Sequence, residues 1–514
     1  MNWNYNLGIK FEDIAQKNSN KLAIIINDKK YKYKYLENKS LKVSNYFFST
    51  LQLRSGDTVA IDSSKSIETY IFLIACLRIG VAYVFIDPDN PKERINKILR
   101  TVKPKFFFRK IDNKYENYST FVKTFSFKKI LKFLDRRKKT FKRDFSSFPS
   151  SNIAYIMFTS GSTGEPKGVA ITHNNLLNFI SWTQEEYSIK SSDRISNLNP
   201  LHFDNSVFDI YATLFNGACL VPFGRNELID TKNLIKKIIK NKVTIWFSVP
   251  SLLVLVLNFK SFNKKSFAYL KKIIFGGEGF PKAKLKELYD LSKSKKVELF
   301  NVYGPTECTC ICSSYKINNK DFVGKEMNRY APFGEKLAKN FFYIIHKPKR
   351  YKNNFIGELF LGGDNVGKGY FNNKQQTDEK FIQNPCHNNF IDIVYCTGDM
   401  VYKDKRNKNI YFSNRKDDQI KYLGHRIELG EIQQNLNKIK EIKESFVEFR
   451  KNNVNTTGEI LCWLSHSSSL KTIKNKVFKL LPKHMIPGKF IEVIKLPKNS
   501  NGKVDRNKLK KLKI

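Results

Sequence analysis

Short apolar runs and longer apolar stretches alternate along the first four hundred residues. DTVAIDSS predicts a strand, IETYIFLIACLRIG is long enough for a helix closed by glycine, and VAYVFID predicts the next strand. Strand, helix and strand in that order place the chain in the α/β class, with layered sheets, substantial parallel pairing and helices packed on them. From Ser413 the segment SNRKDDQ turns polar, and the last hundred residues carry their own alternation of short strands and helices. The expected organisation is a large N-terminal domain over 1–414 and a smaller α+β C-terminal domain over 415–514.

Composition refines this picture. The chain has 514 residues, 41% of them apolar, which supplies enough for two cores. Its first residues, MNWNYNLGIKFEDIAQ, lack the basic segment and apolar run of a secretory signal. The longest apolar stretches, YIFLIACLRIGVAYVFI and TIWFSVPSLLVLVL, are broken by Arg78 or fall short of the roughly twenty residues a membrane span needs. A cytoplasmic protein without membrane insertion is expected. A formal charge of +44 raises nucleic acid or an anionic membrane as alternative partners. The lysines, however, are dispersed from Lys10 to Lys513 with no recognised nucleic-acid module, so solvated faces are the favoured reading and no nucleic-acid partner is expected. Lys128 to Phe145 is the densest cluster should that reading fail. The eight cysteines read as reduced thiols. Cys308, Cys310 and Cys312 in CTCIC are expected on one face of a strand, as small buried side chains. Their spacing lacks the paired ligands of a tetrahedral metal site.

The apolar run NIAYIMF is followed by TSGSTGEPKG, Thr159–Gly168. Glycines let backbone amides point one way and hydroxyls add donors, so such a loop can surround phosphate oxygens, although a surface turn has the same composition. It is neither a Walker loop, because Lys167 precedes Gly168 and not Ser or Thr, nor a nucleophile elbow around Ser162. Downstream come NVYGPTE (Asn301–Glu307), GELFLGGDNVGKGY, YCTGD (Tyr395–Asp399), RKDDQIKYLGHRIELGEI from Arg415, and NSNGKVDR (Asn499–Arg506). Taken in this order the motifs closely resemble the adenylate-forming superfamily of acyl-CoA synthetases, luciferases and amino-acid adenylation domains of nonribosomal peptide synthetases. The resemblance extends over essentially the whole chain.

The resemblance implies ATP and Mg2+ as cofactors and assigns roles residue by residue. Thr159, Ser160, Gly161, Ser162, Thr163, Gly164 and Lys167 would form the phosphate loop. Asn301, Val302 and Tyr303 would hold the adenine, Thr306 would meet the α-phosphate, and Glu307 would be the magnesium carboxylate. Asp399 matches the ribose ligand and Arg415 the arginine near ribose and phosphates. Lys503 matches the catalytic lysine of a mobile small domain that turns about a hinge at Asp417. The family usually has glycine before this arginine. Here Asn414 stands in its place, a residue that tolerates left-handed backbone. His173 in ITHNN reads as a helix-entry or packing residue, without an acid or base role.

The segment HFDNSVFDIY, His202–Tyr211, resembles the motif in which an aspartate pairs with the α-ammonium of an amino acid. A buried ammonium needs a compensating charge, so Asp204 favours an α-amino acid, whereas as the cap of an amphipathic helix beginning DNSVFDIYATLF it would have no such role. The resemblance lines the side-chain pocket with Asn205, Phe208, Phe247, Ile274, Gly276, Val302, Cys310 and Ile311. With Gly276 opening space and one amide present, the expected side chain is small or medium and uncharged. The family passes its adenylate to a thiol. Since the sequence ends at DRNKLKKLKI, the expected acceptor is the phosphopantetheine arm of a separate carrier protein, as in standalone D-alanine:carrier-protein ligases. An acyl- or aryl-CoA synthetase, with Asp204 only a cap, is the alternative.

Overall fold

The computed structural model describes residues 5–110, 122–136, 145, 147–161, 164–324, 330–334, 336–351, 354–405, 407–451, 458–498, 504, 505, 508 and 509, and all that follows concerns these. The chain divides into two compact units. The first comprises Met1–Pro88, Thr101–Phe158 and Gly168–Lys416, and the second Asp89–Arg100, Thr159–Lys167 and Asp417–Ile514.

In the first unit, strands Thr58–Asp62 and Ala82–Ile86 pair in parallel, Thr58 opposite Ala82, across helix Ile67–Arg78. This is the strand–helix–strand unit that the apolar pattern predicts. The helix buries residues on every side, which explains why its sequence is apolar nearly all round. Arg78, which interrupts that run, is itself buried and pairs with Glu37 and Glu12. The sheet is completed in the order Lys123–Ser126, Phe106–Arg109, Thr58–Asp62, Ala82–Ile86, Ile153–Thr159, Lys167–Thr172.

A second sheet has a parallel centre of Cys219–Pro222, Arg194–Asn197, Ile245–Ser248, Lys272–Gly276 and Glu298–Tyr303, with Ser313–Lys316 antiparallel beyond it. Parallel strands end on one edge, and ligands of open α/β sheets bind at such carboxyl ends. Asn197, Phe247, Gly276 and Tyr303 all lie at or next to a strand's last residue there. A third sheet pairs Ile393–Lys403 with Ile410–Arg415, putting Asp399 opposite Arg415.

The second unit is α+β. Ile442–Lys451 and Gly458–His466 are antiparallel, and Lys489–Glu492 adds in parallel. Helices Leu429–Leu436 and Leu470–Leu480 contribute Ile432, Leu436, Ile473 and Val477 to a core with Cys462 and Leu464.

Three expectations change. CTCIC is not a strand: Cys308 closes a short 3-10 turn, and Thr309 and Cys310 follow with φ of 58° and 73°. All three thiols are nevertheless buried. The helix after Asp204 is not amphipathic, since Asn205 to Ala212 are all buried. Asn414 sits in an extended strand opposite Met400, where its tolerance of left-handed backbone is not used. Among the described residues no helix is long and apolar enough to cross a membrane.

His173 opens helix His173–Tyr187 behind a capping box formed by Thr172 and Asn175. Its Nδ1 accepts from the Leu7 amide at 3.1 Å, and its ring lies edge-on to Phe148. Burial pushes the imidazole down to about 3, so it stays neutral in the fold and takes the packing role read from the sequence. The unfolded chain binds a proton below its ordinary value of about 6.5. The resulting stability is present above that pH and is lost as pH falls toward 3. Between pH 7.5 and 5 the loss should be about 2 kcal/mol. Urea unfolding across that window should show His173→Gln losing less stability than the parent by that amount.

Candidate active site

From the end of strand Arg194–Asn197 the chain runs through Pro200 to Asp204 and then into a single α-turn, Asn205–Val207. That turn widens into a π-helix over Phe208–Ala212, an irregularity frequent at functional sites. Asp204 holds the N-cap position, yet its side chain makes no capping bond. Its Oδ2 accepts instead from the Thr306 hydroxyl, which joins two motifs more than a hundred residues apart.

Around this carboxylate the predicted pocket residues come together. The rings of Phe208 and Phe247 are 4.7 Å apart at 58°. Phe247 stands opposite Ile274, and Gly276 opposite Val302, in the parallel sheet. Phe208, Phe247, Ile274, Val302, Cys310 and Ile311 share one buried cluster. Gly276 does more than open space: a Cβ there would stand 2.4 Å from the Val302 carbonyl oxygen, so the two strands meet too closely for any side chain. Burial, then the Asp204 charge, pushes the Cys310 thiol well up and keeps it protonated. Asn205 brings the one amide and is 9% exposed.

The predicted nucleotide residues gather on the following strand and the third sheet. Asn301 donates to the Pro332 carbonyl at 2.9 Å, which holds the 331–332 backbone against the sheet. Tyr303 stacks on Phe333 with centroids 4.0 Å apart at 14°, and its hydroxyl donates to Asp399 Oδ2 at 2.6 Å. Burial, then Asp399, raises the Tyr303 phenol well above its ordinary value, so it remains a donor. Arg415 donates to Asp399 Oδ1 and to the Thr397 carbonyl, both at 2.8 Å. Each carboxylate oxygen has two acceptor positions, so Asp399 can be oriented by these donors and still receive hydroxyls. Glu307 is fully buried, and its Oε1 accepts from the Tyr370 hydroxyl at 2.8 Å. Sequence reasoning missed Phe333 and Tyr370. Tyr370 closes the quoted stretch GELFLGGDNVGKGY, which was the available signal, whereas Phe333 stands outside every quoted motif.

The phosphate-loop residues belong to the second unit. Thr159 ends its strand, the Ser160 hydroxyl donates to the Arg426 carbonyl at 2.7 Å, and Gly164 has φ +73°. A Cβ at Gly161 would stand 1.9 Å from the Glu165 carbonyl oxygen, so the turn demands glycine. The Gly161 amide donates to Glu431 Oε2 at 3.1 Å, and Arg94 pairs with Oε1 of the same carboxylate. An amide read as a phosphate donor therefore already holds an anionic oxygen. Glu431 lies in the quoted RIELGEI but was given no role. Lys167 opens strand Lys167–Thr172, and Asp417 sits at the division between the units, its carboxylate receiving the Gln419 amide. Ser162, Thr163 and Lys503 lie outside the described residues, as does much of the basic cluster beyond Arg136.

A family model described as AMP-binding enzyme matches residues 11–371. The chain is 31% identical over 511 residues to bacitracin synthase 3 of Bacillus licheniformis, covering 96% of this chain and 8% of that synthase. It is 28% identical over 504 residues to the D-alanine--D-alanyl carrier protein ligase of Listeria innocua, covering 93% of each. It spans 8% to 18% of the length of the curated synthases it matches. Among solved structures, the artificially fused adenylation–PCP di-domain NpsA-ThdA from Klebsiella oxytoca gives a TM-score of 0.83 at 22% identity, covering 94% of this chain and 93% of that one. The Vibrio cholerae adenylation domain AlmE, solved with glycyl-adenosine-5'-phosphate, gives 0.82 at 21% identity, covering 99% and 98%. These structural likenesses establish a shared fold.

Proposed function

The chain belongs to the AMP-binding enzyme family, and from that premise we propose that it activates an α-amino acid as aminoacyl-AMP and passes it to the phosphopantetheine thiol of a carrier protein. In the first step a carboxylate oxygen attacks the α-phosphorus of ATP, the bond to the bridging oxygen breaks, and pyrophosphate leaves. In the second the thiol sulfur attacks the adenylate carbonyl, AMP leaves and the thiol proton passes to solvent.

One observation carries the amino-acid reading: Asp204, just ahead of the turn that leads to Phe208 in the buried apolar cluster, accepts from Thr306 and makes no bond that caps its own helix. The α-ammonium would pair with Asp204 and the side chain would lie against Phe208, Phe247 and Ile274. Asn205 suits a small or medium uncharged side chain, with its amide near the end. Thr306, already beside Asp204, would meet the α-phosphate next to the substrate carboxylate. Tyr303 offers a ring to adenine, Asn301 its amide edge, and Asp399 a carboxylate to the ribose hydroxyls. Arg415 fixes Asp399 and adds charge near the phosphates.

Glu307 fits a magnesium site. A hard cation that keeps phosphate oxygens and waters needs one protein carboxylate, and Glu307 is buried, oriented by Tyr370 and adjacent to Thr306. Magnesium would neutralise phosphate charge there. The carrier protein as acceptor is supported by the carrier ligase that this chain resembles over 93% of both lengths. The need for ATP suits a cytoplasmic location.

The test is ATP–pyrophosphate exchange over a panel of L- and D-amino acids, fatty acids and aryl acids. Exchange with an amino acid, abolished by chelating magnesium, is expected. Exchange confined to fatty or aryl acids would establish the acyl- or aryl-CoA synthetase reading instead.

A further inference from the structure

Asp209 is fully buried on the π-helix and takes no part in the chemistry above. Its carboxylate is met by amides. Asn197 Nδ2 donates to Oδ2 at 2.7 Å, the Asn199 backbone amide donates to Oδ2 at 3.3 Å, and Asn199 Nδ2 reaches both oxygens at 3.1 and 3.2 Å. Asn199 Nδ2 also lies 3.2 Å from the Phe247 carbonyl. Asn197 is held in turn by the Tyr70 hydroxyl at 2.8 Å, and its carbonyl receives the Lys65 ammonium at 2.7 Å. Lys65 also donates to the Phe223 carbonyl at 2.9 Å.

The chain path makes this network consequential. Asn197 ends a strand, and the next residues, through Leu198, Asn199 and Pro200, lead directly to Asp204. The helix then returns, one residue past Phe208, to place Asp209 on the base of the same segment. The Ser206 hydroxyl closes the loop on the Leu201 carbonyl at 3.0 Å. Asp209 therefore ties together the start of the segment that delivers Asp204 and the backbone of Phe247, whose ring faces Phe208. A buried carboxylate with every donor in place rigidifies what it holds, whereas a partly satisfied one is costly. Burial pushes Asp209 up and Lys65 down, and the charged or titratable groups facing the pair are Glu227, Tyr70 and Cys310.

We propose that Asp209, acting through Asn197 and Asn199, is a positioning residue that sets where Asp204 and the Phe247 wall stand for the amino acid, without acting on ATP. This rests on the amino-acid reading of the site. Asp209→Asn keeps the size but turns an amide donor toward the amides of Asn197 and Asn199. Asn199→Ala removes the tie to Phe247 while leaving the Asp209–Asn197 bond, and gives a second route should Asp209→Asn not fold.

The experiment is pyrophosphate exchange with the parent and both variants. KM is measured separately for the amino acid and for ATP, and rates are referred to active sites titrated by a single-turnover adenylate burst. KM for the amino acid should rise about tenfold or more in each variant, with KM for ATP unchanged and selectivity against a substrate one methylene larger reduced. A fall in melting temperature or active fraction with both KM values unchanged, or equal shifts in both, would overturn the proposal. Absence of amino-acid-dependent exchange in the parent would overturn the reading of the site itself, and this proposal with it.

Discussion

Replacing Asp204 by alanine should raise KM for the amino acid by roughly a hundredfold to several thousandfold, since truncating one partner of a buried charge pair costs about 3–5 kcal/mol. KM for ATP should stay close to that of the parent. Fold stability should change little, because the structure gives Asp204 no capping bond to lose. The Thr306 hydroxyl loses its acceptor, so a modest drop in kcat should accompany the larger effect. Steady-state exchange with each substrate varied in turn checks this. Unchanged amino-acid affinity in a folded Asp204→Ala protein would return the residue to a structural role.

Lys503→Ala should lower the rate of adenylate formation by about a hundredfold to a thousandfold, the usual effect of removing a group that stabilises developing charge. Thioester formation from preformed aminoacyl-adenylate should be spared. The assignment rests on NSNGKVDR alone, as the side chain lies outside the described residues. If the small domain turns about Asp417 between steps, Asp417→Pro should do the reverse and impair mainly the second step. Measuring the two half-reactions separately, by pyrophosphate exchange and by loading of a phosphopantetheinylated carrier, distinguishes these outcomes. Equal losses in both half-reactions for Lys503→Ala would contradict the two-step division of labour.

Much of the fold is readable from apolar patterning. DTVAIDSS, IETYIFLIACLRIG and VAYVFID become a strand, a helix and a parallel strand because local propensity and burial agree there. Patterning fails where burial is complete on all sides. The segment after Asp204 has a polar residue at every few positions, so it reads as amphipathic, yet Asp209 points inward to amides that the sequence places ten and twelve residues upstream. Nothing in local spacing reports such a satisfied buried carboxylate. CTCIC fails for another reason: alternation suggests a strand, but Cys308 ends a 3-10 turn and Thr309 and Cys310 take left-handed backbone.

Site residues follow the same division. Motif order brought Asp204, Thr306, Glu307, Asp399 and Arg415 to attention, and strand register explains part of why they work together, as with Asp399 opposite Arg415. The side chains that orient them were harder to find. Phe333 stacks on Tyr303, and Tyr370 reaches Glu307 from more than sixty residues away, contacts set by packing between separate sheets and loops. Glu431 was visible in a quoted motif, but its hold on the Gly161 amide and on Arg94 depends on the folding of the second unit.

The central claim is that this site selects a carboxylic acid by its α-ammonium. It is tested most directly by pyrophosphate exchange on the unmodified protein, comparing the preferred amino acid with its des-amino analogue, identical but for the missing ammonium. Exchange at least about a hundredfold faster with the amino acid is the predicted result, since the des-amino acid brings no positive charge to the Asp204 carboxylate that its binding would cover. Equal or faster exchange with the des-amino acid would contradict the account.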